Sequence, residues 1–248
     1  MFYFLMKPVL AYNFILIAAA VIPAVFLMLR VYRSDRLEPE SPRLLWQLVK
    51  AGVLSSLLAL LEERIGSVIL NRLVEPNTVL YNAILYFVIV AIAEESSKYL
   101  LLRRSSWRTP EFNCQYDGVV YAVFVSLGFA LWENISYVMN YGFSTALVRA
   151  VTAIPGHACF GVFMGVFYGA AKKYANAGAA GVSKACRFLA VLFPALLHGA
   201  YDYIASMEQT GGSYYFIGFV AVLFLASFLL VGKAAKKDTF IEGQGPRV

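Results

Sequence analysis

Charge is scarce in this 248-residue chain: Asp, Glu, Lys and Arg supply 15% of it, against roughly 25% in an ordinary soluble domain. With 60% hydrophobic residues and a mean hydropathy of +0.67, that shortage excludes a water-soluble globule. Cysteine numbers only three. An odd count with no CxxC spacing excludes a disulfide framework and a thiolate metal site, so Cys114, Cys159 and Cys186 read as free thiols. No GxSxG occurs, which removes the usual framed serine nucleophile. No HExxH occurs, so any metal ligands would have to come from different helices. There is no internal repeat of the kind many transporters carry, no low-complexity tract and no long polar loop. Function has to sit among the apolar segments.

Those segments come in blocks of about 20 residues, the length that crosses a bilayer as a helix. Seven can be marked: Leu10–Leu29, Ala51–Leu70, Leu80–Leu102, Gly118–Met139, Pro155–Ala171, Phe188–Ala205 and Tyr215–Val231. The expected fold class is all-α, a polytopic helical membrane protein in one domain over residues 1–248, with its chemistry between about residues 80 and 206. The first block is followed by Arg30, Arg33 and Arg36, which fits a retained span with a stop-transfer flank better than a signal peptide. The longest connection, Arg30–Lys50 with Pro39 and Pro42, reads as a cytoplasmic linker or interfacial segment.

The net charge of +6 does not point to a nucleic acid, because the basic residues gather at the ends of the apolar blocks. Sixteen of the 21 Lys and Arg fall in one alternating set of connections, among them Arg43, Arg103, Arg104, Arg108, Lys172, Lys173, Lys184, Arg187, Lys233 and Arg247. The opposite set holds only Lys7, Arg72 and Arg149. Positive charge stays on the cytoplasmic side, so the N-terminus is expected outside and the C-terminus in the cytoplasm. The lipid bilayer is the first partner implied.

Charges inside such blocks are costly and rarely idle. The third block reads FVIVAIAEESSKYLLL. Lys98 lies three and four residues after Glu95 and Glu94, so it can reach either. The two carboxylates diverge by about 100° around the helix; one can face a cavity while the other pairs with Lys98. An ionised and a neutral carboxyl side by side suit general acid–base chemistry. The fourth block carries LGFALWENISY, with Glu133 roughly 22 Å along the span from Gly118. The fifth opens with IPGHACFGVFMGVFYG: His157 stands at its outer end, and Gly161, Gly165 and Gly169 form a stripe that admits a close helix neighbour. The sixth carries HGAYD, which puts His198 and Asp202 on one helix face, a carboxylate orienting an imidazole. Glu94, Glu95, Lys98, Glu133, His157, His198 and Asp202 thus come from four blocks at overlapping depths and are expected to share one polar cavity. A second acidic pair, Glu62 and Glu63 beside Arg64, reads as a local ion pair or kink.

EESSK, FALWE and HGAYD, in that order on successive blocks, match EExxK, FxxxE and HxxxD. The sequence therefore resembles the PrsW family of intramembrane proteases and, distantly, the CAAX prenyl endopeptidase and bacteriocin-processing superfamily, in which the second motif ends in His where this chain has Glu133. The match covers Glu94 to Asp202. The resemblance implies a multi-pass endopeptidase of the bacterial cytoplasmic membrane whose substrate is a membrane-spanning protein, an anti-sigma factor in the family's best-known role.

The chemistry expected is metal-independent. Glu94 or Glu95 serves as general base on water, Lys98 holds the other carboxylate, and His198 steadied by Asp202 either polarises the carbonyl or stabilises the oxyanion. Glu133 and His157 position water or relay protons. No cofactor is expected on this reading; zinc bound by the same His and carboxylates is the alternative. Outside protease chemistry, a proton-coupled transporter or a non-catalytic scaffold fits the same buried charges.

Overall fold

In the computed structural model, which describes residues 2–207, 212–241 and 243, the apolar blocks are helices. In chain order these are α1 (Phe2–Tyr32), α2 (Pro42–Leu73), α3 (Val79–Ala83), a π-helical segment (Ile84–Val90), α4 (Ala91–Ser106), α5 (Asp117–Tyr141), α6 (Phe143–Val151), α7 (Ala153–Asn176), α8 (Ala180–Ala205) and α9 (Gly212–Lys236). Among the described residues seven stretches are long and apolar enough to cross a membrane, and each overlaps one expected block. Arg247 lies outside the described residues.

Three local features depart from the sequence reading. The connection after α1 is only residues 33–41, because α2 begins at Pro42 and takes in Lys50. Ser41 caps that start: its side chain accepts the Leu44 N–H at 3.2 Å, and Pro42 occupies the first turn, where no N–H is needed. The third block is not one uniform α-helix, since the π-helical turns of Ile84–Val90 interrupt it just before the charged motif. A short amphipathic helix, α6, precedes the fifth span; Gly142 separates it from α5 at φ 84°, a left-handed backbone that glycine adopts without cost.

Helix α5 is the central post, packed on α1, α2 and α7, while α8 closes against α4, α7 and the π segment. The glycine stripe makes the α5–α7 contact. A Cβ on Gly161 would come within 2.9 Å of Ser126 Oγ, and one on Gly165 would collide with the Cα of Val119 and the carbonyl of Gly118. Here, with lipid as apolar as the protein, close packing replaces the hydrophobic effect as the force between helices. Gly165→Val should therefore cost about 1–3 kcal/mol or more through overpacking, read as a lower midpoint of thermal unfolding in detergent, whereas Gly218→Val on α9, where nothing lies within 4 Å, should leave it unchanged.

The connections that carry the basic surplus meet at one end of the bundle. Glu111 accepts the Ser41 N–H and hydroxyl at 2.9 Å each, Lys172 Nζ donates to the Trp107 carbonyl at 2.9 Å, and the Ile241 N–H reaches the Asn113 carbonyl at 2.7 Å. The segment after α9 is thereby pinned to the α4–α5 loop, with an antiparallel bridge between Cys114 and Phe240.

Candidate active site

A cavity of about 330 Å³ opens between α2, the π segment, α4, α5, α7 and α8. Glu94, Glu133, His157, His198 and Asp202 line it. Glu95 and Lys98 are fully buried directly behind. All seven residues singled out in the sequence thus converge on one place.

Helix-local spacing builds each half. Lys98 Nζ lies 2.7 Å from Glu95 Oε1 and 3.0 Å from Glu94 Oε2. Its third donor direction meets His157 Nδ1 at 3.2 Å, so all three ammonium donors are matched. Phe129 supplies the floor: the ammonium sits 4.0 Å from its ring centroid, where the π face attracts a cation. One turn on from Phe129, Glu133 accepts from His157 Nε2 at 2.8 Å. The two fixed residues of FxxxE therefore hold two different partners on one face of α5, Phe129 the lysine and Glu133 the histidine.

Helix α8 supplies the other half. His198 is bracketed by carboxylates, with Nδ1 2.9 Å from Glu95 Oε1 and Nε2 3.3 Å from Asp202 Oδ2. Its ring stacks on Phe160 at 4.6 Å. Gly199 beside it lets the π segment approach, since a Cβ there would stand 2.6 Å from Phe87 Cδ1.

Two residues join the site that the sequence reading set elsewhere. Glu63 lines the cavity, which corrects the reading of the second acidic pair as a local ion pair with Arg64. Among the described residues neither carboxylate pairs with Arg64, and Glu62 instead accepts from Ser97 Oγ at 3.3 Å. The signal was the EE pair itself, at bilayer depth on an otherwise apolar helix. By sequence Arg149 is only a charge on the poorly basic side. Its guanidinium lies 3.0 Å from Glu133 Oε2, donates to Asn134 Oδ1 at 2.9 Å and covers the Tyr137 ring at 4.1 Å. Nothing in the sequence marks it beyond an arginine near the start of a span.

A metal is a fair test of this donor set. One atom each of Glu94, Glu95, His157 and His198 lies within 4.8 Å of the others. Each imidazole turns Nδ1 inward and gives Nε2 to an outer carboxylate, Glu133 or Asp202, the support that metal-ligating histidines usually have. Glu95 Oε2 is buried with no hydrogen-bond partner among the described residues. The residues fit a zinc ion in type and number. The cation that stands among them here is the Lys98 ammonium.

An acid- and imidazole-lined cavity among helices long and apolar enough to cross a membrane fits the class of intramembrane hydrolases. Residues 40–231 match the family described as PrsW family intramembrane metalloprotease, and the chain belongs to the PrsW family. It is similar to Protease PrsW of Oceanobacillus iheyensis, at 33% identity over 76% of this chain and 82% of that protein. It is likewise similar to Protease PrsW of Geobacillus kaustophilus, at 32% over 89% and 92%, and of Shouchella clausii, at 30% over 89% and 97%. No solved structure matches the chain.

Proposed function

We propose that this chain hydrolyses a peptide bond of a membrane-spanning protein with water activated by Glu94. The observation that carries the reading is the division of labour between adjacent glutamates: Glu94 lines the cavity, whereas Glu95 is sealed behind it between Lys98 and His198. Glu94 takes a proton from water as the oxygen attacks the scissile carbonyl, and later returns it to the leaving amine. His198, held at Nδ1 by Glu95 and more loosely at Nε2 by Asp202, turns its Nε2–H from the 3.3 Å Asp202 contact to the carbonyl oxygen as negative charge grows there. His157, oriented by Glu133 and Arg149, positions the water. Lys98 and Glu95 hold Glu94 and His198 in place without meeting the substrate.

A second reading is favoured by the carboxylates behind both histidines. Zinc bound by Glu94, Glu95, His157 and His198 would supply Lewis acidity and a water that ionises near neutral pH.

An anti-sigma factor with a single span is the substrate class to try first. The proposed setting is the bacterial cytoplasmic membrane with the C-terminus in the cytoplasm, supported by the basic end of the bundle and by the bacterial relatives. The test is cleavage of a single-span anti-sigma protein by purified chain in liposomes, with products mapped by mass spectrometry and zinc measured in the same preparation. Cleavage by metal-free protein is expected. Stoichiometric zinc, with loss of activity to a chelator, would move the mechanism to the metal reading. Cleavage that survives Glu94→Gln, Glu95→Gln and the double substitution removes the glutamate mechanism.

A further inference from the structure

Far from the membrane cavity, at the basic end of the bundle, three aspartates repeat one arrangement. Asp117, at the head of α5, accepts the N–H groups of Asn113 and Cys114 on Oδ2 at 3.0 and 2.7 Å. Asp238, after α9, accepts those of Tyr116 and Thr239 on Oδ1 at 2.8 and 2.9 Å. Asp35, after α1, accepts the Leu37 N–H on Oδ1 at 3.3 Å. In each, backbone donors fix one oxygen and leave the other, Asp117 Oδ1, Asp238 Oδ2 or Asp35 Oδ2, buried without a donor among the described residues. Asp117 is only 1% exposed. Asp35, Glu40 and Asp117 each place an oxygen within 4.8 Å of the others, and Asp238 acts electrostatically on both Asp35 and Asp117.

Buried carboxylate oxygens are expensive unless a cation or donor meets them. No lysine or arginine forms a salt bridge with Asp35, Asp117 or Asp238 among the described residues. The donors are all hard oxygens. They come from separate segments whose backbones are already fixed, so little ordering cost remains. We propose that Asp35, Glu40 and Asp117, with Asp238 beside them, bind a hard divalent cation, calcium or magnesium, that fastens the α1–α2 linker and the segment after α9 to the head of α5. Oxygens at this spacing suit ligand distances of about 2.1–2.6 Å. The site is separate from the Glu94 cavity and does not depend on the protease reading.

The experiment uses the full chain in detergent, stripped with a chelator, unfolded thermally in the presence of MgCl₂ or CaCl₂ and compared with KCl at equal ionic strength. Calorimetric titration of each ion accompanies it. At 100-fold excess over its Kd, one of the two ions should raise the unfolding midpoint by about 5 °C or more. Asp117→Asn should weaken binding at least about tenfold, and Asp35→Asn, whose amide oxygen can still accept the single Leu37 N–H bond, should do likewise if the first variant folds poorly. Glu94→Gln should keep the full shift. The proposal falls if neither ion exceeds the KCl control, which is the result expected if a water or a proton satisfies these oxygens. It falls equally if both Asn variants keep wild-type ion dependence, or if Glu94→Gln abolishes it.

Discussion

Glu94→Gln should lower the rate of substrate cleavage by about 10²–10⁴-fold, the usual contribution of a positioned general base, with the fold intact. Glutamine keeps the size of the side chain and an oxygen for Lys98, which donates to this residue at 3.0 Å; only the proton acceptor is lost. Glu95→Gln should behave differently. Its oxygen serves Lys98 at 2.7 Å and His198 at 2.9 Å and faces no cavity, so its loss should loosen both and lower the unfolding midpoint along with the rate. Single-turnover cleavage and thermal unfolding of both variants separate the roles. If Glu95→Gln proves the more damaging to turnover while leaving stability untouched, the assignments exchange.

Lys98→Met should be the most destabilising single change in the bundle. The ammonium is completely buried and stands between two carboxylates and an imidazole. Removing one partner of a buried ion pair leaves the other charge uncompensated, at a cost of about 3–5 kcal/mol, so the midpoint should fall by roughly 10 °C. Adding Glu95→Gln to Lys98→Met removes one of the stranded charges and should restore part of the loss without restoring cleavage. Lys98→Arg should not rescue, because a planar guanidinium cannot reproduce three converging donors from a point charge over the Phe129 ring. A midpoint within about 2 °C of the parent would mean that another cation or water already compensates the glutamates. Zinc uptake by Lys98→Met, measured against the parent, also reports whether lysine and metal compete for one place.

What could be read in advance follows helix spacing. Glu94 to Lys98, Phe129 to Glu133 and His198 to Asp202 are each four apart, so each pair shares a face whatever the tertiary fold. The seven spans were legible for a similar reason: a bilayer demands length and apolarity, and both are local properties. Pairings between helices were not legible. Nothing in the spacing tells that His157 takes Glu133 on one nitrogen and Lys98 on the other, or that Arg149 closes over Glu133. Glu63 is visible in the sequence, but Arg64 is its neighbour there while the cavity it lines lies across the helix. The linker after α1 is shorter than its charges suggest, because Arg43 and Lys50 lie on α2, whose start Ser41 and Pro42 already mark.

The π-helical turns of Ile84–Val90 have a consequence for insertions and deletions. Tyr86, Val90 and Glu94 all line the cavity and recur every fourth residue. In a uniform α-helix eight residues turn 800°, about 80° past two full turns, and Tyr86 would drift off the wall that carries Glu94. Wider turns take up the difference. This wall is written in residue count as much as in residue type. Val88, 53% exposed, can be exchanged for another apolar side chain, yet deleting it would re-phase Tyr86 against Glu94 with every residue of the EESSK motif unchanged.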